Sequence, residues 1–100
     1  MAVTSKVLAR TAAATSSTTL YTVPSATTTI ITNIVVTNAS ASAGTFTLLL
    51  NDIELQFQTP IAGNSSIYID LKQALPATQT IKGLASATSI DFHISGVEIA

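Results

Sequence analysis

Along most of this chain the apolar side chains fall on every second position, in short stretches separated by turn-forming residues. Ile67, Ile69 and Leu71 alternate with Ser66, Tyr68, Asp70 and Lys72, the pattern of a strand with one side on a core and one in water. Residues 52–58 alternate most cleanly: Ile53, Leu55 and Phe57 are predicted inward, against Asp52, Glu54, Gln56 and Gln58. Asn51 and Asp52 form turns readily, so this strand should make a hairpin with the one before it, in which Phe46, Leu48 and Leu50 face inward. A longer strand from about Thr29 to Asn38 places Ile30, Ile34 and Val36 on one side and Ile31 and Val35 on the other. Both of its faces are partly covered, which predicts a central position.

The remaining segments follow the same logic. Leu20 to Val23 reads as a strand ended by Pro24, which lacks the N–H a ladder needs. Ser25–Thr28, Asn38–Gly44, Thr59–Asn64 and the region of Leu75 and Pro76 read as connections. Ile81, Gly83 and Ala85 suggest a short edge strand. In the last strand Ile90, Phe92 and Ile94 point inward, after which the phase shifts to Val97 and Ile99. Gly96 sits at the shift, which predicts a bulge near Ser95 and Gly96, the competing reading being a strand that ends at Ser95. Residues 1–17 show no period of two and read as a flexible, extended N-terminal arm, with a short helix through Val7–Ala14 as the competing reading. The expectation is an all-β protein: one antiparallel β-sandwich or jelly roll of about seven to eight strands over residues 18–100.

Composition sharpens this picture by subtraction. The chain has 100 residues, 47% of them apolar, but only four Lys and Arg, five Asp and Glu, one His and no Cys. Acid–base catalysis, metal ligation and phosphate binding each need several ionisable or thiol groups brought together. A net charge of −1 supplies no field to draw nucleic acid or an anionic membrane to the surface, so neither is an expected partner. Ile34–Val36 and Leu48–Leu50 are among the longest aliphatic runs, far short of the ~20 residues of a spanning helix. The N-terminal segment is also too short in apolar residues for a secretory signal, so the chain is expected to be made and used without export. A near-neutral surface of hydroxyl and methyl groups resists self-association poorly and points to life in an assembly.

Three constellations could carry chemistry. Asp91, His93 and Ser95 share one strand face and match the residue types of an acid–base–nucleophile set, but no nucleophile elbow surrounds Ser95, so a solvated strand face is the expectation and no enzyme is foreseen. Asp52 with Glu54, or Asp70 with Asp91, offers oxygens to calcium, yet no ligand loop accompanies them; no metal or cofactor site is expected. Asn38-Ala39-Ser40 and Asn64-Ser65-Ser66 match the glycosylation acceptor pattern and are read as turns instead. Tyr21 and Tyr68 are the candidate exposed platforms for a sugar.

Leu20-Tyr21-Thr22-Val23-Pro24 with its threonine-rich turn, Ile34-Val35-Val36-Thr37-Asn38, Thr45-Phe46-Thr47 and Ser95-Gly96-Val97-Glu98-Ile99 together resemble small virion proteins of tailed bacteriophages, over residues 18–100. Relatives would be expected to carry a glycine in the turn after the proline, where Ser25 and Ala26 stand here. The resemblance implies a compact β-sandwich or jelly roll that decorates or cements the capsid, or sits on heads and tails as an accessory part. It further implies binding between major capsid protein subunits, commonly as a homotrimer, at the capsid surface of a virion assembled in the host cytoplasm. Lys6 and Arg10, on the arm, are the candidate partner-binding residues. Two rival readings are a tail-associated receptor- or carbohydrate-binding module and a hydrolase using the Asp91, His93 and Ser95 row.

Overall fold

The computed structural model describes residues 2–100, and all regular structure in them is strand. Eight strands run in order: β1 (Val3–Ala12), β2 (Thr18–Thr22), β3 (Thr28–Asn38), β4 (Gly44–Leu50), β5 (Ile53–Ile61), β6 (Ser65–Leu75), β7 (Thr80–Ala85) and β8 (Ile90–Ile99). They form two four-stranded antiparallel sheets, β1-β8-β3-β6 and β2-β7-β4-β5. This interleaved order, with chain neighbours traded between sheets, is that of an eight-stranded jelly roll, so the expected fold class holds.

The inward faces meet in an aliphatic and aromatic core. Ile31, Ile34 and Val36 of β3 and Ile90, Phe92 and Ile94 of β8 face Phe46 and Leu48 of β4 and Ile81 of β7, all buried. The Phe46 and Phe92 rings meet edge to face, with centroids 6.3 Å apart and planes at 70°, a favoured aromatic geometry. Between β4 and β5 the chain reverses through Asn51 and Asp52, whose φ values of 52° and 63° fit the two left-handed positions of a hairpin turn. Ala26, in the turn after Pro24, has φ 56°, a conformation in which glycine is unstrained.

Several sequence expectations are corrected. Within the expected flexible arm of residues 1–17, Val3–Ala12 is instead β1, paired with β8 from Val3↔Ile99 to Ala12↔Asp91, and neither this segment nor Val7–Ala14 is helical. Met1 lies outside the described residues. Leu8, Ala9 and Ala13 are buried, so small residues seat this end of the chain without the bulky alternation that marks the other strands. The edge strand expected around Ile81 lies between β2 and β4, where the close-packed sheets need Gly83: a Cβ there would stand 3.0 Å from atoms of Leu20 and Phe92.

The bulge predicted on the last strand lies on its neighbours instead. β8 keeps its phase through Ser95 and Gly96 and continues to Ile99, while β1 inserts Leu8 between Val7 and Ala9 and β3 inserts Thr32 between Ile31 and Asn33. β6 adds a further residue against β3, taking Asp70 to Gln73 where β3 takes Asn33 to Ile31. The strands flanking β8 on both sides are therefore bent and more strongly twisted at these points. Gly96 permits this, because a Cβ there would lie 2.3 Å from the Ile30 carbonyl oxygen. Thr32 also resets β3, so that Ile31, not Ile30, shares the inward face with Ile34 and Val36.

β5 departs most from its predicted pattern. Leu55 is an extra residue against β4, and Phe57 with Gln58 stands opposite Thr47 alone, with Gln58 at φ 46° and its N–H donating to Thr47 Oγ1. The extra Leu55 turns Phe57 outward and leaves it 63% exposed, while Ile53, at the hairpin end opposite Leu50, is 67% exposed, where alternation placed both in the core.

Candidate functional site

The outer face of the β1-β8-β3-β6 sheet gathers most of the candidate residues. Cross-strand pairing sets Arg10, His93, Val35 and Tyr68 in one row, with Ala12, Asp91, Thr37 and Ser66 on one side of it and Val7, Ser95, Asn33 and Asp70 on the other. Asp91, His93 and Ser95 thus share a face as the spacing predicted, successive same-face side chains starting ~6.6–7 Å apart. No hydrogen bond links the three. Asp70 and Asp91 lie on β6 and β8 with β3 between them and in different rows. Among the described residues no group of three or more His, Asp or Glu side chains comes together around a point that could hold a metal ion.

Lys6 and Arg10 are divided by the bulge. Four residues apart, they would share a face on a regular strand, but the extra Leu8 puts Lys6 opposite Gly96 on the inward side and Arg10 opposite His93 on the outward side. The Lys6 ammonium stands 3.5 Å from Glu98 Oε1, while Arg10 remains exposed on the outer face.

Glu98 anchors a polar network that sequence reasoning missed. From β2 in the opposite sheet the Tyr21 hydroxyl donates to Glu98 Oε2, and the fully buried Thr29 hydroxyl lies 2.7 Å from Tyr21 Oη, placed to donate to it. Burial and the hydrogen bond to the Glu98 carboxylate raise the pKa of the Tyr21 phenol above its ordinary value, partly offset by the Thr29 contact. Tyr21 is therefore a clamp between sheets rather than an open sugar platform. Tyr21 lies two residues before the buried Val23, on the same side of the strand, and that spacing was its signal in the sequence.

Tyr68, by contrast, is 75% exposed as expected, and Phe57 joins it as a second exposed aromatic on the opposite face of the sandwich. Asn38 is buried; its side-chain N–H donates to the Ser42 carbonyl and its Oδ1 accepts from the Ser40 N–H, making it the organiser of that loop. Asn64 holds a turn at φ 54°. Both asparagines thus serve as turn residues.

Beyond the polar rows, the same outer face becomes aliphatic. Val3 and Ile99 pair across β1 and β8, Val97 is flanked by Ser5 and Ile30, and Val7 adjoins them, with Val3 and Val7 65% and 44% exposed. Compared with protein-family models, curated proteins and solved structures, the chain matches none.

Proposed function

We propose that this chain is a structural virion protein that decorates or cements a tailed-bacteriophage capsid by binding between major capsid protein subunits. The observation that carries the reading is the exposed aliphatic end of the β1-β8-β3-β6 face, with Val3, Val7, Ile30, Val97 and Ile99 set beside rows of Ser, Thr and Asn. Such a patch gains from being covered, and its β-branched and small neighbours lose little rotamer freedom when it is. The strand order is one used by capsid domains among others, which makes the fold suitable without identifying the role. β1 replaces the flexible arm in this reading: Lys6 is engaged with Glu98, and Arg10 stands on the face that would meet a capsid subunit.

The test is reconstitution with tailed-phage capsids assembled from purified major capsid protein, with occupancy read by cryo-electron microscopy. Wild type is expected to occupy fixed positions between capsid subunits, and Val3→Asp with Val7→Asp to lose most of that occupancy while remaining folded. Absence of the wild-type chain from the capsids overturns the reading.

A second reading rests on Tyr68. Its exposed ring, with Asp70 and Asn33 in the next row and His93 across Val35 in its own, resembles the aromatic platform and polar rim that grip a sugar. Glycan-array binding lost in Tyr68→Ala would favour a carbohydrate-binding module over a capsid protein.

A further inference from the structure

Both edges of the β1-β8-β3-β6 sheet are open, and they differ in charge. β1 carries Lys6 and Arg10 with no carboxylate, so pairing with a copy of itself offers no opposite-charge pair. β6 pairs with β3 alone, leaving the main-chain groups along its other side without a ladder partner in the chain. It carries Asp70 and Lys72, both exposed, on either side of the half-buried Leu71. A lone lysine would guard such an edge against pairing. Opposite charges two residues apart do the reverse for one register.

We propose that β6 pairs antiparallel with β6 of a second copy of this chain, about a two-fold axis through Leu71. Antiparallel pairing about that axis sets Asp70 opposite the partner subunit's Lys72 and Lys72 opposite the partner subunit's Asp70, two ion pairs on the same outer face. Tyr68 falls opposite the partner subunit's Ala74, where a small side chain leaves room for the ring. Axes through Asp70 or Lys72 would place like charges opposite each other, so the charge pattern selects a single register. The contact joins two four-stranded sheets into one and makes a dimer in solution, not the trimer that the family resemblance implies. It is independent of the virion reading, since it needs no capsid.

Sedimentation of the full chain tests it. Wild type should run at twice the 10.3 kDa chain mass, and Asp70→Lys or Lys72→Asp alone should return it to the single-chain mass. Exchanging both charges in one chain should restore the dimer, and so should mixing the two single variants, each of which is monomeric by itself. A monomeric wild type, or a wild-type oligomer that both single reversals leave unmoved, overturns the proposal. Because a reversal could also disturb folding, Leu71→Cys in the otherwise wild-type, cysteine-free chain supplies a second readout. Opposed strand residues have Cα atoms ~4.5–5.5 Å apart, within disulfide range, so oxidation should give a covalent dimer; failure to form one overturns the proposal equally.

Discussion

The middle of the sandwich and its Glu98 end join the same two sheets by different physics. In the middle, Phe92, Ile94 and Ile34 meet Phe46, Leu48 and Ile81 through carbon alone. At the end, Tyr21 of one sheet reaches Glu98 and Thr29 of the other, with Lys6 closing over the carboxylate. The first kind of contact scales with area and tolerates small displacements. The second is directional and depends on protonation, and it fixes how the sheets are set against each other where the apolar core runs out.

The strongest way to break the contrast is Phe92→Ala. Phe92 is fully buried, touches the space above Gly83 and supplies half of the edge-to-face pair with Phe46. Its loss should cost about 3–5 kcal/mol, a large part of the ~5–15 kcal/mol that holds a domain of this size together. Urea denaturation would read this as a large fall in midpoint at nearly unchanged slope. A change under ~1 kcal/mol would mean that the core closes over the gap, contrary to the close fit of Phe92 against Gly83 and Phe46.

Tyr21→Phe probes the other region at intermediate size. The ring stays, but Thr29 loses its hydroxyl partner inside the protein and Glu98 loses a donor, so about 1–3 kcal/mol should go. The pH dependence separates this from lost packing. The folded-state pKa of Tyr21 is raised, so its contribution is complete below the unfolded value of about 10 and drains away as pH rises through the folded value, because the unfolded chain releases the proton first. Wild type should therefore lose stability on the alkaline side of pH ~10 more steeply than Tyr21→Phe. Equal slopes would place the phenol in ordinary solvent.

What the sequence disclosed follows the same divide. Strands whose inward residues are bulky and regularly spaced, such as Ile67, Ile69 and Leu71 in β6 or Ile90, Phe92 and Ile94 in β8, were legible because burial of large side chains has a period of two. The Asn51-Asp52 turn was legible because few residues accept positive φ at successive positions. β1 was hidden because its inward side holds Thr4, Lys6, Ala9 and Thr11, with Leu8 its one large buried side chain and that one an inserted residue outside any period of two. Phe57 was misplaced because alternation carries no mark of a bulge, and the bonds that create one, here Gln58 N–H to Thr47 Oγ1, join residues eleven apart. Of the candidate site, the shared face of Asp91, His93 and Ser95 was readable. The division of Lys6 from Arg10 was not, since it depends on one inserted residue.

The smallest effect tests whether an ion pair matters by itself or through what it is tied to. Lys82 lies 2.7 Å from Asp52 Oδ1, closer than Lys6 is to Glu98, yet the Asp52 side chain is 68% exposed against 15% for Glu98. Distance alone would rank Lys82→Ala as the costlier change. Solvent screening and the freedom of an exposed turn argue the opposite: Lys82→Ala should cost about 0–1 kcal/mol and lose most of that in high salt. Lys6→Ala strips the only cation that the described residues place on a carboxylate already bound to Tyr21, and should cost more and respond less to salt. Parallel urea titrations of the two variants at low and high salt decide the matter. If Lys82→Ala proved the more damaging, the Glu98 end would be an ordinary wet rim, and the hold of one sheet on the other would belong to the apolar middle alone.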